Sequence, residues 1–262
     1  MDKYINLVLD LPATLNQKLP KNNFNQVMDD SEKSVKDWVG LVYKIFALVF
    51  LVTMLYAVLK SGAEYLGGDA SGLAKAGSVL SILVFLYASF PLAQIIRNAG
   101  DGLAASKSGI VDFVFKDVVV ANIRAVGYLT ALAAFFTAVV MTISFVFDSD
   151  VYGFSYGIIN ELGNVMSLPL EILGMLLAMA SMGDFGDLFN QLYSLDFMGG
   201  ASASAVDGWT WGGLASVALS YVSVLVVLIQ LFVSLAVYHF LYGLASTFIK
   251  WVKGPYLPFK SL

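Results

Sequence analysis

Four apolar runs, each longer than 20 residues, alternate with polar connections along the chain. They cover residues 38–59, 76–96, 118–147 and 211–249. A helix rises about 1.5 Å per residue, so about 20 apolar residues cross the roughly 30 Å hydrocarbon core of a bilayer. The pattern predicts an all-α integral membrane protein, a polytopic helical bundle with about four transmembrane helices.

The lengths and breaks of these runs predict how each helix sits. Pro91 should kink the second helix near its end, and the third run is long enough to tilt or project from the bilayer. The last run has no proline or glycine-rich break, which predicts one long helix. We expect residues 225–249 of that helix to span, with its earlier turns projecting. The glycine-rich stretch 60–75 is predicted to be a connection.

The region between the third and last runs is predicted to stay on the outer side. Residues 154–165 and 168–182 are apolar but short, which predicts a re-entrant hairpin or an interfacial helical pair. The alternative is that 155–182 crosses fully, which gives five spans. Residues 110–116 are expected to lie flat on the membrane surface.

The runs divide the chain into four segments. Residues 1–37 form a cytoplasmic polar N-terminal segment, with a possible interfacial helix at its start or, equally, a loosely ordered terminus. Residues 38–147 form a three-span membrane bundle. Residues 148–208 form an extracytoplasmic acidic, Gly-rich segment with short helices. Residues 209–262 form the long final transmembrane helix and a short cytoplasmic tail.

Basic residues are segregated along the chain. Only Lys60 and Lys75 fall outside the segments assigned to the cytoplasmic side, and the stretch from Arg124 to Lys250 contains eight acidic residues and no other lysine or arginine. Under the positive-inside rule this favours four spans over five and places both termini in the cytoplasm. The bias suits a bacterial inner membrane.

Composition removes most catalytic chemistries. The chain is 58% hydrophobic and 13% charged, with no cysteine and one histidine. Disulfides, thiolate zinc sites, iron–sulfur clusters and multi-histidine metal sites are therefore excluded within this chain. There is no Walker loop, no paired-histidine motif and no basic, aromatic patch for nucleic acid. We predict no enzyme activity, no catalytic or metal residue, and no cofactor.

Four polar residues at membrane depth are candidate sites. Arg124 is an anion partner or, favoured, a side chain that snorkels to the interface. Glu171 lines an ion path or, slightly favoured, complements a helix N-terminus. Gln230 is expected to bond a neighbouring helix. His239 is a titrating group or, favoured, a hydrogen-bonded structural histidine.

Small residues recur at four-residue spacing on two of the runs. Such stripes let helices approach closely, which is a common basis of association in lipid. The candidate helix-packing positions are Ala134 and Ala138 on the third run, continued by Thr130 and Thr142, and Gly212, Ser216 and Ser220 on the last run.

These features favour a non-catalytic polytopic subunit of a larger membrane-embedded complex, with a structural, assembly or secretion-type role. No motif identifies a family, although the layout resembles polytopic components of secretion machines. The alternative is a homo-oligomeric channel or carrier for a small solute or ion. Expected partners are the lipid bilayer and other membrane-protein subunits or further copies of this chain, and no nucleic acid.

Overall fold

The computed structural model describes residues 24–154, 156, 171–179 and 208–253. Within them, each of four long helices is long and apolar enough to cross a membrane, which confirms the predicted all-α membrane bundle. The helices are α1 (Phe24–Gly67), α2 (Gly72–Ala104), α3 (Ile110–Phe147) and α4 (Trp211–Lys253).

The helices pack in chain order, α1 against α2, α2 against α3, and α3 against α4. In the most apolar 18-residue stretch of each helix, 61% of residues are buried in α3 but only 17% in α1 and 28% in α4. Helix α3 is therefore the enclosed helix. Helices α1 and α4 each leave one long face exposed.

Glycines allow the helices to approach closely at two levels. A Cβ atom on Gly127 of α3 would lie 2.5 Å from a methyl carbon of Leu231 on α4. Between α1 and α2, a Cβ on either Gly40 or Gly100 would lie 2.9 Å from the carbonyl oxygen of the other. Side chains at these positions would force the helices apart, so the glycines set the helix spacing.

Helix α1 continues into the predicted connection as far as Gly67, and only residues 68–71 separate it from α2. The prediction of a connection over 60–75 rested on a loss of apolar character, but a polar turn can remain helical. Ser61 illustrates this, because its hydroxyl donates to the Ala57 carbonyl one turn earlier at 2.6 Å. Helix α2 then starts where the Ser71 hydroxyl accepts from the Ala74 amide.

Helix α3 contains a π-helical turn near its start. Residues Ile110–Asp112 are α-helical, Phe113–Val118 form the π-helix, and Val119–Phe147 continue as α-helix. The segment 110–116, expected to lie flat on the membrane surface, is instead continuous with the third helix. Within it the Phe113 side chain is only 1% exposed, whereas Val111 and Phe115 are exposed.

The chain leaves α3 and enters α4 at the same end of the bundle. The Trp209 indole donates to the Phe145 carbonyl at 2.8 Å, and a Cβ atom added at Gly208 would collide with a carboxylate oxygen of Asp148. A single additional crossing between Asp148 and Gly208 would separate these residues by the full thickness of the bundle. The geometry therefore agrees with four spans and disagrees with five.

Two predicted features lie largely outside the described residues. They are the interfacial helix at the start of the chain and the re-entrant or interfacial pair over 154–165 and 168–182. Of the second, residues 171–179 are described and are helical.

Helix α4 is one unbroken helix, as predicted, and two hydrogen bonds show its position along α3. Tyr221 hydrogen-bonds Thr142 at 3.0 Å, and Tyr238 donates to the Phe115 carbonyl. The early turns of α4 therefore lie beside α3, and the turns after Tyr242 run past the first turn of α3. The fit of Leu231 onto Gly127 fixes this position, and an apolar pattern does not encode it.

Candidate functional site

A cleft of about 640 Å³ opens at one end of the bundle, between α2, the start of α3, and α4. We call this end, which holds Lys36, Lys44, Lys107 and Lys116, the basic end. The polar residues that line the cleft are Asn98, Ser106, Lys107, Ser108, Lys116, Asp117, Arg124, Tyr128 and His239.

Positive charge reaches this cleft from α3 and from the connection that precedes it. Lys116 and Arg124 lie eight residues apart on α3, which is close to two turns and places them on one side of the helix. Lys107 comes from the connection between α2 and α3, and the imidazole of His239 on α4 lines the same cleft. The lining of the cleft therefore depends on packing three helices together.

The single carboxylate of the cleft, Asp117, is held by its own neighbours. The hydroxyls of Ser106 and Ser108 both donate to one oxygen of Asp117, the second at 2.7 Å. The backbone amide of Ser108 donates in turn to the Ser106 hydroxyl at 3.2 Å. Asp117 thus folds the α2–α3 connection over the π-helical turn.

Within the part of the chain that the structure describes, the cations of the cleft are not ion-paired. Across the described ranges, no carboxylate oxygen lies within 4.0 Å of the charged nitrogens of Lys107, Lys116 or Arg124. The ion pairs nearby use Asp101, which lies 2.7 Å from Lys44 and 3.9 Å from Arg97. With three cations and one carboxylate, the cleft has a positive potential that attracts anions.

The neighbouring helices brace the cleft from both sides. Lys36 of α1 donates to the Ser108 carbonyl at 2.5 Å and lies 5.8 Å from the centre of the Phe113 ring. From the other side, Tyr238 and Tyr242 of α4 donate to the Phe115 carbonyl and the Asp112 carboxylate. These long-range hydrogen bonds hold the wide π-helical turn in place.

The structure brings two of the four predicted polar sites together and leaves two apart. Arg124 and His239 line the same cleft. Gln230 is half-buried on α4, and Glu171 is exposed in the helical stretch 171–179. Arg124 is exposed and contributes to a charged cleft, a placement that suits either of its two readings.

The two small-residue stripes have different surroundings. On α3, Ala134 is 4% exposed and Ala138 is fully buried. On α4, Gly212 and Ser216 are exposed and Ser220 is half-buried. The hydroxyls of Ser216 and Ser220 donate to carbonyls of their own helix. The stripe on α3 is used within the chain, and the first turns of the stripe on α4 are not.

Sequence reasoning missed the remaining cleft residues, Lys107, Lys116, Asp117 and the two serines. The only signal was a carboxylate at the start of an apolar run, preceded about ten residues earlier by Ser106-Lys107-Ser108. A buried or half-buried carboxylate needs hydrogen-bond donors, and neighbouring serines can supply them.

The opposite end of the bundle is closed by the chain itself. Residues 150–154 and 156 fold back over α1 and α2, and we call this end the aromatic end. The Tyr152 amide donates to the Ser78 hydroxyl at 2.8 Å, and the Tyr152 hydroxyl shares a 2.5 Å hydrogen bond with Ser61. Tyr65 donates to the Asp150 carbonyl at 2.7 Å. Aromatic rings of Phe85, Tyr152, Phe154 and Tyr156 pack edge to face or tilted at this end.

Burial changes the acidity of two tyrosines at the aromatic end. Tyr152 is 4% exposed and Tyr156 is 9% exposed. Because burial disfavours the phenolate, it raises the pKa of both hydroxyls above their ordinary value. The hydrogen bond between the Ser61 and Tyr152 hydroxyls partly offsets this increase in the pKa of Tyr152. Among the described residues, the Tyr156 hydroxyl has no hydrogen-bond partner.

The arrangement at the basic end can bind an anion, and the described ranges contain no group of histidine and acidic residues able to hold a metal ion. Comparison of the chain with protein-family models, with curated proteins and with solved structures finds no match.

Proposed function

We propose that this chain is a non-catalytic polytopic subunit of a larger membrane-embedded complex. The observation that carries the proposal is that the apolar part of α4 is longer than a bilayer and the described residues of the chain can cover. The part of α4 that exceeds the bilayer lies at the basic end.

The apolar part of α4 is too long for the bilayer even when tilted. Residues 214–249 would measure about 54 Å as a helix. A tilt of about 40°, the upper end of the usual range, lengthens the path through a roughly 30 Å core to roughly 39 Å. About 15 Å of apolar helix is then left outside the hydrocarbon.

The charges of α3 indicate which end carries the excess. Residues 125–147 contain no charged side chain and measure about 34 Å, which matches the bilayer core. The Trp209–Phe145 hydrogen bond and the Leu231–Gly127 contact place the first half of α4 beside this stretch. The largely apolar residues 234–249 therefore lie past the level of Arg124.

The excess length presents large apolar side chains that nothing in the described chain covers. Leu244 is 56% exposed, Phe248 is 61% exposed and Trp251 is 62% exposed. A contiguous apolar surface outside lipid is typical of a protein contact. An apolar helix of a second membrane subunit is the partner that suits it best.

The alternative, a channel or carrier formed by this chain, has less support. A conducting path needs polar groups along a span. Within the described ranges, Arg124 and His239 meet at one end only, Gln230 is half-buried on α4, and Glu171 lies on a different helix. By the positive-inside rule we further propose that the basic end faces the cytoplasm, as in a bacterial inner membrane.

A matched pair of substitutions on α4 tests the proposal. Phe248→Ala changes the excess surface, and Phe232→Ala changes a side chain of similar exposure, 58%, on the part of α4 that lies beside the charge-free stretch of α3. We expect Phe248→Ala to release partner subunits during purification in mild detergent, and Phe232→Ala to retain them. Equal retention by both variants would contradict the proposal.

A further inference from the structure

The cleft at the basic end has both a cationic and an apolar lining. The cations are Lys107, Lys116 and Arg124, and the apolar side chains include Ile95, Leu103 and Val120. A soluble anion uses only the first surface. A ligand with a charged head and an apolar tail uses both.

The position of the cleft along the bundle matches that of a lipid headgroup. Arg124 marks the end of the charge-free stretch of α3, and Lys116 lies about 12 Å further from the bilayer centre. Headgroup phosphates lie next to the hydrocarbon core, at a depth between the levels of Arg124 and Lys116. Basic pockets between transmembrane helices on the cytoplasmic side are suited to anionic lipid headgroups.

From these observations we propose that the cleft is a binding site for the phosphodiester headgroup of an anionic phospholipid. Arg124 and Lys116 bind the phosphate oxygens, the arginine through its two-pronged guanidinium. The Asp117 carboxylate accepts hydrogen bonds from the hydroxyls of Ser106 and Ser108, so it does not pair with Arg124 or Lys116 in place of the phosphate. The acyl chains follow the apolar lining toward the bilayer.

Gly102 offers a way to close the site without disturbing the fold. It lines the cleft, it is exposed on α2, and a Cβ atom added there meets nothing within 4 Å. Gly102→Glu places a carboxylate opposite the cations, while Gly102→Gln adds a neutral side chain of the same shape. The two variants differ in charge and not in bulk.

The test uses the full chain in detergent, with titration of phosphatidylglycerol or phosphatidylcholine followed by native mass spectrometry. We expect preferential binding of phosphatidylglycerol, retained by Gly102→Gln and weakened about fivefold by Gly102→Glu, because each neutralised cation near the surface changes affinity by about that factor. Equal binding by the two Gly102 variants, or no preference for phosphatidylglycerol in the unaltered chain, would overturn the proposal.

Two further measurements separate a built site from general charge attraction. The double variant Lys116→Gln, Arg124→Gln should weaken phosphatidylglycerol binding about 25-fold, and Lys60→Gln, Lys75→Gln, which removes two cations outside the cleft, should leave it unchanged. An equal loss in both double variants would indicate attraction without a site. Displacement of the lipid by millimolar inorganic phosphate would assign the cleft to a free anion instead.

Discussion

The two ends of the bundle are built differently. At the aromatic end, residues 150–154 and 156 fold back over α1 and α2, and hydrogen bonds tie Tyr152 to Ser61 and Ser78. At the basic end, three cations line an open cleft and α4 extends past α3. The chain covers one end with its own residues, and the other end is the one that we propose binds lipid and a protein partner.

The contrast between the two ends predicts the largest difference in stability when a glycine at each end is replaced by leucine. Gly77→Leu should lower the free energy of unfolding by about 3 kcal/mol, because the new side chain overpacks a filled site. A Cβ atom added at Gly77 would lie 2.6 Å from a methyl carbon of Val151. Gly102→Leu at the basic end should be nearly neutral, since nothing lies within 4 Å.

Thermal unfolding of the two variants in one detergent measures this difference. Equal free energies of unfolding for Gly77→Leu and Gly102→Leu would show that Val151 does not pack closely against Gly77.

A smaller effect is expected from Tyr152→Phe. The substitution removes the hydroxyl that hydrogen-bonds Ser61 but keeps the ring against Phe85. We expect a loss of about 1 kcal/mol in the free energy of unfolding, the usual net value of one such hydrogen bond. Ser61→Ala is the matched change, and if the bond is responsible the double variant should lose no more than either single variant.

The smallest effect near neutral pH is expected from Tyr156→Phe, with the opposite sign. This hydroxyl is buried and has no partner in the part of the chain that the structure describes. Its removal should raise the free energy of unfolding by up to about 1 kcal/mol. A loss comparable to that of Tyr152→Phe would mean that the hydroxyl is hydrogen-bonded.

The same residue gives a pH test. Burial raises the pKa of Tyr156, so above pH ~10 the unfolded chain releases this proton before the folded chain does. The folded chain then binds more protons, and its stability falls as the pH rises. Thermal unfolding between pH 9 and 11 should show a shallower decline for Tyr156→Phe than for the unaltered chain.

Much of the fold could be predicted from the sequence because a bilayer requires long apolar helices. The four runs, the single helix after Trp211 and the burial of Ala134 and Ala138 follow from that requirement. The π-helical turn at Phe113 and the continuation of α1 through Ser61 did not follow, since polar turns look the same in helices and loops. The position of α4 along α3 is set by contacts between the two helices, such as Leu231 on Gly127 and Tyr221 with Thr142.

The cleft could be predicted only in part. Arg124 and His239 were recognised as unusual polar residues in apolar runs, but their proximity depends on the packing of α4 against α3. The pairing of Asp117 with Ser106 and Ser108 depends on the wide turn that begins α3. Periodicity within one helix holds no information about either relation.

The composition of the particle extracted from its native membrane in mild detergent tests the central claim most directly. We expect this chain to co-purify with other subunits in a fixed ratio, because in our proposal a partner covers the apolar residues 234–249 of α4 outside the bilayer. A homogeneous particle that contains this chain alone would contradict the assembly role, and flux measurements would then test a homo-oligomeric channel or carrier.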